Sequence, residues 1–159
     1  ADGLDEAVFY IQTNPGEEAK PLAKIASGGE LSRLMLAMKT IFARSEGVTA
    51  IIFDEVDTGV SGRVAQAIAN KISLIAKRSQ VLCITHLPQV AAMADHEYVI
   101  SKAVHDGRTT TQVNKLTHKA RVEEIARMLA GEKITKLTIE HAEELLRMAD
   151  EFKHGKVSS

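Results

Sequence analysis

Residues 49–55, with the sequence TAIIFDE, decide the fold of this chain. The short apolar run Thr49–Phe53 lacks the alternation of a half-exposed strand and is typical of a parallel strand covered on both faces. An amphipathic helical pattern follows over residues 64–75, and a second apolar run occupies residues 81–84. Strand, helix and strand within about 35 residues predict a βαβ unit, whose crossover is expected to be right-handed.

On the N-terminal side of this unit, the sequence predicts a strand, a turn and a helix. Residues 7–13 carry β-forming residues and stop at the turn signal Asn14-Pro15-Gly16. A helix is predicted from Leu31 onward, because apolar residues recur there at helical spacing. The stripe consists of Leu31, Leu34, Met35, Met38 and Phe42.

On the C-terminal side, the sequence predicts a short helix and then a β-hairpin. The helix spans residues 88–94 and begins at Pro88, because proline is favoured at the first helical position. Residues 97–102 and 109–116 are predicted strands. Asp106-Gly107, between them, is a residue pair typical of hairpin turns.

The remainder of the chain is predicted to be helical. One apolar stripe covers residues 122–129 and ends at Gly131, which is expected to cap the helix, and a second covers residues 139–149. A chain of 159 residues has room for a single domain. We therefore expect one domain over residues 1–152 and a frayed tail over residues 153–159, which lack a periodic apolar pattern.

Composition excludes several classes of protein. The net charge of −1 argues against a surface built to coat nucleic acid, and the 45% hydrophobic content argues against disorder. Four Phe, two Tyr and no Trp are too few aromatic residues for a base-stacking platform. The single cysteine, Cys83, cannot form an internal disulfide, which suits a reducing cytosol. Because the chain starts at Ala1 without Met, we expect a processed piece or a fragment.

Asp54 and Glu55 follow a strand predicted to be buried, and open α/β sheets place their ligands at this end of a strand. The first carboxylate can hold Mg²⁺, usually through its water shell. The second can orient or deprotonate an attacking water. Alternatively, both acids are solvated residues at a strand end. Thr85-His86 ends the next strand at the same edge, where the imidazole can contact a phosphoryl group or serve only a structural role.

The segment Ser27-Gly28-Gly29-Glu30 precedes the first predicted helix. Two glycines allow the backbone to approach a phosphate closely, and a helix N-terminus offers free N–H groups. Ser27 and Glu30 also have the spacing of a capping box, and both interpretations can hold together. The sequence contains no G-x-x-x-x-G-K-[ST], so it lacks the usual phosphate cradle.

These motifs, in this order, resemble those of the ATP-binding-cassette ATPases: the signature motif (residues 27–30), the Walker B motif (residues 51–55) and the switch histidine (His86). Glu30 and the pair Val56-Asp57 resemble the SMC-like branch of that class. Longer stretches resemble the C-terminal head segment of the RecN family, which are bacterial SMC-like DNA repair and recombination proteins. These stretches are LAKIASGGELSR (residues 22–33), FDEVDTGVSG (residues 53–62) and THLPQVA (residues 85–91).

The resemblance implies the C-terminal lobe of an ABC/SMC-type P-loop NTPase head, an α/β fold with a parallel βαβ core, an added hairpin and C-terminal helices. It implies ATP and Mg²⁺ as ligands, with Asp54 supporting the metal and Glu55 activating water. His86 would sense the γ-phosphate, and residues 27–30 would close on ATP held by a second head. Ser61, in the segment that replaces the D-loop, stands where an aspartate is usual, and its role is open.

The partners implied are an N-terminal Walker A lobe, a second head joined through ATP, and DNA bound by the full-length protein, which would act in the cytoplasm at the nucleoid. The complete head would be an ATPase in DNA double-strand break repair, whereas this chain alone would be inactive. One alternative is a transporter-type nucleotide-binding half, which predicts Gln in place of Glu30 and Pro after Glu55. Another is a non-catalytic interaction module, which predicts no response to nucleotide.

Overall fold

A computed structural model describes Gly3 and residues 7–12, 15–24, 28–42, 50–105, 108–131 and 133–155. The strands are β1 (Tyr10–Ile11), β2 (Lys20–Pro21), β3 (Ala50–Phe53), β4 (Gln80–Cys83), β5 (Tyr98–His105) and β6 (Arg108–Lys115). The helices are α1 (Gly28–Phe42), α2 (Gly62–Ala76), α3 (Pro88–Met93), α4 (His118–Ala130) and α5 (Lys136–Lys153), with a 3₁₀ turn at Leu22–Lys24. The chain is therefore an α/β protein, as the sequence predicts.

The βαβ unit forms as predicted. Strands β3 and β4 pair in parallel, with Ala50 opposite Gln80 and Phe53 opposite Cys83. The pairing continues one step further, where the Ile84 N–H donates to the Phe53 carbonyl at 2.9 Å. Helix α2 connects the two strands. The right-handed crossover remains a prediction.

Only one face of this parallel sheet is covered, so the expectation of a strand buried on both faces is wrong for the described residues. Phe53 is buried in the core, and Ile51, Val81 and Cys83 pack against it. On the opposite face, Ile52 is 70% exposed, Leu82 49% and Ile84 54%. Because side chains alternate between the two faces of a strand, the helices of this chain bury one set and leave the other in contact with solvent.

The predicted hairpin is present, and its first strand is longer than the pattern indicated. β5 and β6 are antiparallel from Tyr98 opposite Lys115 to His105 opposite Arg108. The predicted turn at residues 106–107 lies outside the described residues. The strand predicted over residues 7–13 is reduced to β1, which pairs with β2 in only two positions.

Helices α4 and α5 are bounded by identifiable caps. The Thr117 side chain accepts a hydrogen bond from the Ala120 N–H at the start of α4. At its end Gly131, with a φ of 70°, donates its N–H to the Arg127 carbonyl, as the predicted cap requires. Thr135 and Thr138 form a reciprocal capping box at the start of α5. Among the described residues, no helix is both long and apolar enough to cross a membrane.

The hydrophobic core lies between the β3–β4 sheet and the helices. Ile125, Ala126 and Ala142 of α4 and α5 are fully buried, and α3 contributes a run from Val90 to Met93. A buried ion pair closes this side of the core, because the Arg121 Nε lies 3.2 Å from the Glu97 Oε2. Burial raises the pKa of the Glu97 carboxyl above its usual value, and the Arg121 guanidinium opposes that rise.

Candidate functional site

The acidic pair and the histidine lie at the same edge of the parallel sheet. Asp54 and Glu55 follow β3 directly, and Thr85-His86 begins two residues after the end of β4. Because Phe53 is paired with Cys83, both segments leave the sheet at the same level. The side chains of Asp54, Glu55 and His86 are exposed there. This position matches the sequence prediction, and the chemical roles of these residues remain predictions.

The chain turns sharply immediately after β3. Glu55 has a φ of 59°, a left-handed conformation that non-glycine residues seldom adopt outside functional or tightly constrained sites. The Thr58 N–H donates to the Glu55 carbonyl at 3.1 Å, which closes the turn. This turn leaves Glu55 exposed and directs Val56 and Asp57 into the protein interior.

Helix α1 is anchored to the same turn by two side chains from its first two turns. The Ser32 hydroxyl donates to the Asp54 carbonyl at 2.9 Å. The Arg33 Nη1 donates to the Thr58 carbonyl at 2.8 Å. Both bonds fix the N-terminus of α1 beside the acidic pair, so residues 28–30 of the signature segment and the acids lie together within one chain.

The two glycines of the signature segment lie within α1, which begins three residues before the predicted start at Leu31. A Cβ atom added to Gly28 would lie 2.5 Å from the Glu55 Oε2. A Cβ atom added to Gly29 would lie 3.1 Å from the Thr58 carbonyl oxygen and 3.2 Å from that of Glu55. Glycine at position 29 therefore favours the close approach of the helix to the turn, whereas a side chain at position 28 would displace only the end of the Glu55 side chain.

The contact between the start of α1 and the turn at residues 55–58 gives the glycines a structural role. The approach of these glycines to a phosphate remains a prediction. Glu30 is exposed in the first turn of α1, where the helix dipole favours a negative charge. Ser27, the predicted partner of Glu30 in a capping box, lies outside the described residues.

Asp57 belongs to the site, and the sequence analysis used it only as a mark of the SMC-like branch. Its side chain is 2% exposed. Its Oδ2 accepts hydrogen bonds from the Thr85 hydroxyl and, at 3.1 Å, from the His86 N–H. The His86 Nδ1 lies 3.5 Å from the same oxygen. In the sequence, the available sign of this residue is an acid that directly follows the apolar Val56. Its contact with residues 85 and 86 is produced by the fold.

Asp54 offers one exposed carboxylate to a metal. Within the part of the chain that the structure describes, no group of three or more His, Cys, Asp or Glu is arranged to hold a metal ion. Nucleotide-dependent Mg²⁺ sites commonly use one or two carboxylates, with water and phosphate oxygens completing the shell. Asp54 therefore fits a magnesium site of this kind and does not form a preorganised protein cage.

The environment of the thiol at this edge disfavours its thiolate form. Burial raises the pKa of Cys83 to about 12, and the charges of Asp57 and Asp54 add to that rise. Since the thiolate is the reactive form, this shift disfavours reaction at Cys83. The chemistry of this edge therefore rests on carboxylate and imidazole groups.

The site combines three elements at one edge of the sheet. These are the acidic pair after β3, the histidine after β4, and the glycine-containing start of α1, which contacts the acids. The acids and the histidine at one sheet edge are expected from the resemblance to SMC-like ATPases of the ATP-binding-cassette class, whereas the contact between the helix start and the acids was not predicted. No protein-family model matches the chain. Comparison with curated proteins, in contrast, finds relatives described as the DNA repair protein RecN.

The chain is 64% identical over 152 residues to the DNA repair protein RecN of Halalkalibacterium halodurans, which covers 96% of this chain and 27% of that protein. It is 62% identical over 151 residues to RecN of Bacillus subtilis and 48% identical over 146 residues to RecN of Deinococcus radiodurans. These matches cover 95% and 92% of this chain and 26% and 25% of those proteins. They confirm the predicted resemblance to RecN, and the chain spans about a quarter of the length of these relatives.

Among solved structures, one from work on the ATP-driven dimerization and DNA-stimulated activation of SMC ATPases is similar to this chain. The alignment has a TM-score of 0.49 at 22% identity and covers 80% of this chain and 83% of the other.

Proposed function

We propose that this chain is the C-terminal half of the ATPase head of a RecN-like protein that acts in DNA double-strand break repair and recombination. The observation that carries the proposal is the meeting of the acidic pair, His86 and the start of α1 at one sheet edge, within a chain 64% identical to a RecN protein. Ligands of open α/β sheets bind at this edge. The proposal places the protein in the cytoplasm at the bacterial nucleoid.

In the proposed reaction, Glu55 accepts the proton of the attacking water, for which its exposed carboxylate is suited. His86 donates a hydrogen bond to the γ-phosphate from the neighbouring strand end. Asp54 would hold Mg²⁺, which supplies charge neutralisation of the β- and γ-phosphates when bound. The anchors from Ser32 and Arg33 to the turn keep the two acids beside α1.

The proposed partner in completing the nucleotide site is an N-terminal Walker A lobe. The sequence itself contains no P-loop motif. The exposed face of the parallel sheet, with Ile52, Leu82 and Ile84, supports a covering element supplied from outside the chain, since parallel sheets are ordinarily buried on both faces. A cleft of about 270 Å³ between α1 and β3 extends this apolar surface to Leu31 and Met35.

A second head is the other proposed partner. Residues 27–30 would close on ATP held by that head, and hydrolysis would release the pair. The full-length protein would bind DNA. The free N–H groups of a helix start suit the approach of a phosphate. Ser61, in the D-loop position, is exposed at the start of α2 and makes no side-chain capping bond there.

The proposed docking face can be tested by Leu82→Glu. A charge on this face is expected to abolish association with a Walker A lobe, because burying a carboxylate that has no partner is costly. Association is measured by light scattering, and the fold by circular dichroism. Leu74→Glu on α2, where the side chain is 43% exposed, is the matched control and should bind normally. Equal binding by both variants would contradict the assignment of this face.

A further inference from the structure

We propose that Asp57 is a positioning residue that orients the His86 imidazole for its contact with the γ-phosphate. This inference rests on the proposed function and adds to it a residue outside the acidic pair. Asp57 reaches the histidine from inside the protein, because the left-handed turn at Glu55 buries the aspartate while the acids before it remain exposed. It does not contact the nucleotide in this account and acts only through His86.

The geometry ties the two strand ends together through one carboxylate oxygen. The Oδ2 of Asp57 accepts the Thr85 hydroxyl and, at 3.1 Å, the His86 N–H. The Leu87 N–H donates to the Thr85 Oγ1 at 3.0 Å, so the hydroxyl is both donor and acceptor. These bonds fix the backbone of residues 85–87 against the turn that carries Glu55. The position of His86 is therefore coupled to that of the acidic pair.

The same oxygen also faces the imidazole ring. The His86 Nδ1 lies 3.5 Å from Asp57 Oδ2, whereas the histidine side chain as a whole is largely exposed. At this distance the pair is an electrostatic contact and not a hydrogen bond. A carboxylate beside one ring nitrogen still favours a proton on that nitrogen. Nδ1 thus faces the buried carboxylate, and Nε2 is the ring nitrogen left for a ligand at the exposed edge.

A different interpretation is that Asp57 serves only to anchor the backbone. A buried carboxylate that receives an N–H and a hydroxyl would be retained for that reason alone. The two interpretations differ at the imidazole, because an anchor has no effect on which ring nitrogen carries the proton. Thr85→Val is the matched variant, since it removes the hydroxyl link and leaves the Asp57 charge beside Nδ1.

The first measurement is the tautomer of the neutral His86 ring, read from its ¹⁵N chemical shifts in this chain. His86→Gln identifies the His86 signals by their loss. We expect the proton on Nδ1 in the wild type and in Thr85→Val, and loss of that preference in Asp57→Asn. A wild-type ring protonated on Nε2, or an unchanged tautomer in Asp57→Asn, would overturn the inference. Dispersed amide spectra establish that each variant is folded.

The second measurement is ATP hydrolysis by the complex of this chain with a Walker A lobe. Asp57→Asn is expected to lower kcat by about 10- to 100-fold, by analogy with the residues that orient metal-ligating histidines, with KM changed much less. Thr85→Val should lower kcat by a smaller factor. Equal losses in the two variants would indicate an anchor and overturn the inference.

The failure of this inference and that of the proposed function have different signatures. If the wild-type complex hydrolyses ATP and Asp57→Asn matches it, Asp57 has no positioning role and the proposed function stands. If the wild-type complex binds and hydrolyses no ATP, the proposed function is wrong, and with it the purpose assigned here to the orientation of His86.

Discussion

Glu55→Gln in a complete head is expected to slow ATP hydrolysis by about 10²- to 10⁴-fold, the range for a lost general base, and to leave ATP binding intact. The amide keeps the size and one hydrogen-bonding oxygen of the carboxylate but cannot accept a proton. Heads that have closed on ATP would then remain closed. The ATP-bound dimer should therefore accumulate in this variant.

The experiment combines single-turnover hydrolysis with light scattering in the presence of ATP. Glu143→Gln, which removes an exposed carboxylate on α5 outside the site, is the matched control and should behave as the wild type. Turnover close to normal in Glu55→Gln would show that another group accepts the proton. His86, at the neighbouring strand end, would be the next candidate.

Gly28→Asp is expected to abolish ATP-driven dimerisation while the fold is retained. Gly28 is exposed in the first turn of α1 and has no positive φ, so the backbone tolerates a side chain. An aspartate is also favourable near a helix N-terminus. Toward a γ-phosphate on the opposite head, however, it presents a negative charge and a Cβ where N–H groups must approach closely.

The structure adds a second effect of this substitution. Because a Cβ on Gly28 would lie 2.5 Å from the Glu55 Oε2, any side chain there displaces the Glu55 carboxylate. Gly28→Ala should therefore slow hydrolysis and, since it adds the Cβ without the charge, should weaken dimerisation less than Gly28→Asp does. Gly28→Asn should separate size from charge. Light scattering with and without ATP and circular dichroism are the measurements. A folded Gly28→Asp head that still dimerises would mean that this segment is only a helix start.

Local patterns were sufficient to predict the elements around the acids. The apolar runs before Asp54 and before Thr85 gave the two parallel strands, and the 3.6-residue stripe between them gave α2. Gly131 predicted the end of α4, because the left-handed cap depends on a single residue. These strands, the helix and the helix end depend on residues that are close in sequence, so local sequence patterns are enough to predict them.

Contacts between distant segments could not be predicted in this way. The approach of Gly29 to the carbonyls of Glu55 and Thr58 joins residues that are 26 and 29 positions apart in the sequence. The glycines alone indicated a close approach of the backbone but not to which group. The burial of Asp57 depends on the turn at Glu55, for which no residue pattern was available. The strand β1 was overestimated because its β-forming residues find a partner in only two positions of β2.

The uncovered sheet face was missed for a related reason. An apolar run such as Ala50–Phe53 indicates that both faces are suited to burial, but it does not say whether the covering element belongs to the same chain. Here Phe53 is buried by the chain itself, whereas Ile52 is not. The exposed face of the sheet is informative, because it supports the same partner lobe that we inferred from the missing P-loop.

The most direct test of the central claim is ATP turnover by this chain alone, by a Walker A lobe alone, and by the two together. Our account predicts turnover and ATP-driven dimerisation only in the mixture, because the acids lie on one part and the phosphate cradle on the other. Micromolar binding or hydrolysis of ATP by this chain alone, or a mixture that associates yet never hydrolyses ATP, would contradict it.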